Sequence, residues 1–173
     1  MGKYIKLVKT DSGYEYVTRK IGHDGAVVVI PQCYTDEGLK FQLILSTRPT
    51  FDKPILEFPA GLLDVSGESL GDAALRELKE ETGWSGEAKL GIISQFPAPS
   101  SAGLSDELIY FVPVVLTEQN DPAQTAGEHI EILPLMTLQQ ISQYIEECGS
   151  TILISSRLLS FLYGMMLGGV FHE

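Results

Sequence analysis

Glu77, Glu80 and Glu81 lie in the run Arg76-Glu-Leu-Lys-Glu-Glu-Thr-Gly83. If this run is helical, Glu77 and Glu81 are one turn apart and share a face, which Glu80 borders. Like charges at that spacing disfavour a bare helix by about 0.2–0.5 kcal/mol per pair. Hard oxygens clustered on a rigid element are what Mg²⁺ or Mn²⁺ prefers. A cation held there keeps water ligands and still reaches phosphate oxygens. The chemistry expected is therefore cation-assisted reaction at a phosphate. The competing reading is a solvated acidic face with Arg76 and Lys79 as partial partners. Its weight falls because Gly61, Glu68, Arg76 and Gly83 surround the cluster in a loop-then-helix order.

The rest of the chain bounds what that cluster can serve. It has 173 residues, 44% of them hydrophobic and 20% charged, the composition of one globular domain or one domain with a small extension. Twelve Lys+Arg against 23 Asp+Glu give a net charge of −11. Such a surface repels nucleic-acid backbones, so no nucleic-acid partner is expected. A phosphate-bearing ligand would need the local field reversed, as a divalent cation does. The basic residues Lys3, Lys6, Lys9, Arg19 and Lys20 read as solvated charge on edge strands in preference to a phosphate-steering patch. Cys33 and Cys148 are far apart and form no CxxC pair, which suits reduced thiols in a cytoplasmic protein. Met1 to Lys6 lacks the apolar core of a signal peptide. The apolar stretch 151–171 carries Arg157, serines and glycines. It reads as a core-packed helix ending near Gly168-Gly169, with no membrane partner expected.

The elements that must position the cluster follow from pattern. Residues 4–8 and 14–21 flank an Asp11-Ser12-Gly13 turn and predict a hairpin. Ala26–Ile30 reads as a buried strand, 31–38 as a loop, Phe41–Ser46 as one strand and 47–54 as a loop. Ser69–Thr82 is the clearest helix, capped by Ser69, ended by Gly83 and striped by Leu70, Ala74 and Leu78. Leu90–Phe96 and Leu108–Leu116 read as strands, the second placed at an edge or bulge by Pro113. Ile130–Leu133 reads as a short strand. Thr137–Cys148 reads as a helix opened by a Thr137/Gln140 capping box, and Ser155–Leu167 as the last helix. Strict strand–helix alternation is missing, so an α+β mixed sheet is expected rather than a doubly wound one.

The segment from Gly61 to Trp84 resembles the Nudix box, Gly-x5-Glu-x7-Arg-Glu-U-x-Glu-Glu-x-Gly-U, where U is bulky and aliphatic. From Glu68 through Gly83 the match is position for position. Six residues rather than five separate Gly61 from Glu68, and Trp84 takes the last aliphatic position. The resemblance implies the α+β Nudix fold: a mixed sheet sandwiched between helices (residues 23–173), with a small N-terminal antiparallel hairpin lobe (residues 1–22). It implies that Glu77 and Glu81 ligate metal, with Glu80 a further ligand or a group acting on the attacking water. By the same resemblance Glu68 and Arg76 pair to fix the loop, and the Ala60 carbonyl is a metal ligand. Gly61 lets the backbone approach the ion with no Cβ in the way.

Three further stretches are similar to the ADP-ribose pyrophosphatase and nucleoside diphosphate sugar hydrolase branch of that family. They are Glu57-Phe-Pro-Ala-Gly61, Pro99-Ser-Ser-Ala-Gly-Leu-Ser-Asp-Glu107 and Gly127-Glu-His-Ile-Glu131. Arg48 stands where relatives place a phosphate-contacting arginine, and Glu57 is a substrate acceptor or a supporting group. Glu128 is the implied general base, with Glu107 as an alternative base or ligand. Tyr4, Tyr14, Tyr16 and Phe51 are the aromatic residues available to a base, with none singled out. The implied activity is Mg²⁺-dependent (or Mn²⁺-dependent) hydrolysis of ADP-ribose or a related nucleoside diphosphate sugar by a homodimer. The alternatives are NADH, dinucleoside polyphosphates or oxidised nucleoside triphosphates as substrates, or a non-catalytic domain that senses nucleotide sugars.

Overall fold

The computed structural model describes residues 5–19, 25–124 and 129–169. The strands are β1 (Lys6–Lys9), β2 (Glu15–Thr18), β3 (Ala26–Thr35), β4 (Gly38–Phe41), β5 (Ile44–Ser46), β6 (Ile55–Glu57), β7 (Ala60–Leu62), β8 (Trp84–Ala88), β9 (Ala98–Pro99), β10 (Leu108–Gln119), β11 (Ile130–Ile132), β12 (Met136–Thr137) and β13 (Leu153–Ile154). The helices are α1 (Leu70–Thr82), α2 (Leu138–Cys148) and α3 (Ser156–Leu167). One mixed sheet runs β12-β4-β3-β10-β8, with β7 also on β3 and β9 on β10. A second runs β11-β5-β6-β13, and β1-β2 form the expected antiparallel hairpin.

Helices cover both sides of the larger sheet, as the α+β reading expects. On one side Ala73, Ala74 and Leu78 of α1 pack on Val27, Val29, Val112 and Val114. On the other side Phe41, Leu43, Leu56, Ile141, Leu158 and Leu162 join the second sheet to α2 and α3. Phe161 meets both Phe41 and Phe58 edge-on, with ring centroids 5.2 Å apart. Among the described residues no helix is long and apolar enough to cross a membrane. Cys33 and Cys148 are free thiols, each half-buried.

Three readings of the sequence are corrected and a fourth is refined. Residues 31–35 continue β3 instead of forming a loop, and Thr35↔Gly38 closes a tight hairpin to β4. Phe41–Ser46 is two strands in two sheets, β4 and β5. The chain changes sheets at Gln42 and Leu43, both almost wholly buried. The Gln42 amide makes this possible by donating to the carbonyls of Leu43 (2.9 Å) and Leu133 (2.6 Å) and accepting from Trp84 Nε1 (2.9 Å). Leu90–Phe96 is not a strand but holds a 3₁₀ turn at Ile93–Gln95, and Ile92 and Ile93 are 74% and 82% exposed. Pro113 is not at a bulge, and β10 as a whole lies between β3 and β8, but on the β8 side Pro113 stands just past the last pair, Val114↔Ala88, so the expected edge is a local one. Its carbonyl accepts from Lys89 N (2.8 Å), just past the last residue of β8. The nitrogen that cannot donate therefore falls where the ladder has ended.

Candidate active site

The helix that carries the glutamates is defined at both ends by its own sequence. Ser69 Oγ accepts from Asp72 N (3.2 Å), and Gly83 adopts φ 75° while donating to Lys79 O (3.0 Å). The helix packs against β7, which hydrogen-bonds to β3 in the register Val28↔Ala60 and Val27↔Gly61. Phe58, almost wholly buried, anchors the link from β6. Ala60 and Gly61 are thereby laid along the glutamate face. The additional residue between Gly61 and Glu68 is taken up in the turn at 65–67. There Gly67 adopts φ 79° and Glu68 N donates to Val65 O (3.2 Å).

A cleft of about 560 Å³ opens between these elements. It is lined by Glu77, Glu80 and Glu81 of α1, Ala60 and Gly61 of β7, Arg48, Glu57 and Glu107, together with Arg19, Asp64, Arg76 and Arg157. Most of the residues singled out from sequence thus share one surface. Glu68 does not line the cleft but pairs with Arg76, Gly83 ends α1, and Glu128 lies outside the described residues. Tyr14 and Tyr16 line a neighbouring hollow of about 370 Å³ with Pro99 and Asp106, which shares Glu107 with the cleft, while Phe51 is exposed. Sequence reasoning missed Arg157, Asp64 and Ser46, and for Arg19 it preferred solvated charge to phosphate steering. The hairpin reaches the site through Arg19, whose Nη1 stands 3.2 Å from Glu107 Oε1. Arg19 is therefore not merely solvated charge on an edge strand.

Arg76 organises the carboxylates. Its Nε and Nη2 grip both oxygens of Glu68 (2.9 and 3.0 Å), and Nη2 also donates to Leu62 O (3.1 Å). Nη1 reaches Glu77 Oε1 (2.7 Å) and lies 3.6 Å from Glu80 Oε2. Burial pushes the Glu77 carboxyl up; Arg76 opposes that push, and Glu80 and Asp64 add to it. The Arg76 guanidinium is held charged chiefly by its bond to Glu68. Glu81, 4% exposed, accepts from Ala60 N at 3.1 Å. Across the cleft, Glu57 accepts from Ser46 Oγ in a short bond and from Arg48 Nη2 at 3.4 Å.

Among the described residues no three carboxylates converge closely enough to chelate a cation as they stand. The reason lies in the partners just described: Arg76 draws in Glu77 and Glu80, and the Ala60 amide holds Glu81. The donors nevertheless fit a hard divalent ion, since all are oxygens of carboxylates beside a backbone strand. The space fits as well. A Cβ at Gly61 would fall 1.9 Å from the Glu77 carboxyl carbon, so only glycine lets that carboxylate lie against β7. Gly61→Ala is therefore expected to displace Glu77. The clash meets the end of a flexible side chain, so stability should fall by less than about 1 kcal/mol. Turnover should fall at least about tenfold if this carboxylate takes part in the chemistry, because its displacement costs orientation. Melting curves and turnover measured side by side check this, and native turnover would show that Glu77 need not lie there.

The family profile described as the NUDIX domain matches residues 23–150. The chain is 34% identical over 152 residues to the methanol dehydrogenase activator of Bacillus methanolicus, covering 84% of this chain and 78% of that protein. It is 34% identical over 107 residues to the ADP-ribose pyrophosphatase of Bacillus subtilis, covering 62% and 54%. It is 32% identical over 155 residues to the ADP-sugar pyrophosphatase of Mus musculus, covering 78% and 68%. The match to the Bacillus subtilis enzyme thus spans only about half of that relative's length.

Proposed function

Because the chain belongs to the Nudix hydrolase family, a family of divalent-cation enzymes, we propose that it hydrolyses the pyrophosphate bond of ADP-ribose or a related nucleoside diphosphate sugar, using Mg²⁺. The observation that supports this most is a single cleft. It joins the glutamates of α1 to Arg48, Glu57 and Glu107, residues in the stretches that resemble the ADP-ribose branch. Pyrophosphatases of ADP-ribose and ADP-sugars among its relatives point the same way.

Glu77, Glu80, Glu81 and the Ala60 carbonyl would hold the cation. When bound, it neutralises phosphoryl charge and makes water a better nucleophile at neutral pH. The remaining work belongs to the chain's own side chains. Arg48 orients a phosphoryl group, and Glu57, braced by Ser46, positions Arg48. Glu128 takes the proton from the attacking water as general base, an assignment supported by resemblance of its sequence stretch. The water oxygen bonds to one phosphorus, and the anhydride oxygen leaves with the other. From ADP-ribose the products are AMP and ribose 5-phosphate.

Incubation with ADP-ribose and a panel of nucleoside diphosphate sugars, with Mg²⁺ and Mn²⁺ compared, tests the proposal. Absence of turnover on the whole panel would remove it. A homodimer formed through the hairpin lobe is part of the same reading. Ile5 and Leu7 beside β1–β2 are 50% and 71% exposed, leaving apolar surface for a second copy. Light scattering should give twice the chain mass at micromolar concentration; a monomer mass would discard the dimer.

A further inference from the structure

We propose that Arg157 is a substrate-binding residue that takes a phosphoryl oxygen of the substrate in the cleft; this rests on the proposed hydrolysis of a nucleoside diphosphate compound. Four arginines line the cleft. Arg76 is held by Glu68 and Glu77, Arg48 stands by Glu57, and Arg19 stands by Glu107. Arg157 has no ion-pair or hydrogen-bond partner among the described residues. It is half-buried, unlike a freely solvated surface arginine.

Its position is set by backbone. β13 pairs in parallel with β6 through Leu153↔Ile55 and Ile154↔Leu56, and Ser155 N donates to Leu56 O at 3.0 Å. Ser155 Oγ then accepts from Leu158 N (3.3 Å) to start α3, and Leu158 is fully buried. Arg157 is thereby fixed beside the strand that ends in Glu57. Helix stability does not account for the residue. A cation in the first turn opposes the helix dipole, and that turn holds no acidic side chain to offset it. A planar guanidinium with free donors, facing a cleft in a chain of net charge −11, is suited to a phosphate group that the neighbouring carboxylates would repel.

Arg157→Gln is expected to raise KM for the turned-over nucleoside diphosphate sugar about 10- to 100-fold, the range of a lost charge-assisted bond. kcat should stay within about threefold and the melting temperature should not change, since no partner among the described residues is lost. Arg157→Lys should fall between the two, keeping the charge without the fork. Inhibition by inorganic pyrophosphate should weaken in parallel with the rise in KM. Native KM and native pyrophosphate inhibition in the glutamine variant would overturn the proposal. So would a fall in kcat and melting temperature at unchanged KM, the signature of a structural role. Should the native protein turn over no nucleoside diphosphate sugar, calorimetric titration with pyrophosphate and Mg²⁺ decides Arg157 separately. Binding by the native protein that the glutamine variant loses supports it. Equal binding, or none by the native protein, rejects it.

Discussion

Glu81→Gln is expected to lower kcat by about 10²–10³-fold, the loss found when one preorganised electrostatic contribution is removed from a catalytic site. The change is nearly isosteric. Glu81 is buried and its Oε2 accepts from Ala60 N at 3.1 Å, a bond that the glutamine carbonyl oxygen can still accept. The fold should therefore persist, with stability of the metal-free protein within about 1 kcal/mol of native. What disappears is one negative charge from the group that would hold the cation. Affinity for Mn²⁺, read by titration calorimetry, should fall together with kcat. Near-native turnover would mean that Glu81 only supports the backbone of Ala60 and carries no part of the chemistry.

That glutamate face was legible in the sequence because everything needed to place it is local. Ser69, the apolar stripe and Gly83 define one helix, and the 3.6-residue period puts Glu77 and Glu81 on one side of it. α2 was legible for the same reason, through its Thr137/Gln140 capping box. The sheets were not. Leu90–Phe96 has strand-like composition, yet β8 forms one step earlier at Trp84–Ala88, because pairing with β10 decides the matter. β6, β7 and β13 are two or three residues long, too short to show a period, and exist only through their partners.

The same division separates the site residues. Arg76 and Glu68 sit at a spacing whose resemblance names the pair, and the structure joins them at 2.9 Å. Arg19 and Arg157 reach the cleft by other routes. One arrives because Val17 N donates to Leu104 O and docks the hairpin on the loop before Glu107; the other arrives through β13 on β6. No local signal announces a contact made across such sequence distances. Arg157 instead stood out in the sequence only as a charge interrupting an apolar stretch.

Arg76→Met is expected to have the largest effect on stability. Methionine fills similar volume but leaves Glu68 and Glu77, both mostly buried, with no cationic partner among the described residues. Removing one partner of a buried pair costs about 3–5 kcal/mol, and the partial exposure of Arg76 brings that down to roughly 2–3 kcal/mol here. For a chain of this size the melting temperature should drop by roughly 5–10 °C. The loss should also depend on pH in a defined direction. Burial already pushes the Glu77 carboxyl above its ordinary value, and Arg76 is the main group opposing that push. Without Arg76 the folded protein holds the Glu77 proton to higher pH than the unfolded chain does. Stability contributed by that proton is present at low pH and is lost as pH rises through the raised value. The deficit against native protein should therefore be largest near neutrality and shrink as pH falls toward the carboxylate range. Urea unfolding of both proteins without metal, at neutral pH and at several lower values, measures it. A deficit independent of pH would show that Arg76 stabilises through packing and its bond to Leu62 O, and that the charge of Glu77 does not set its cost.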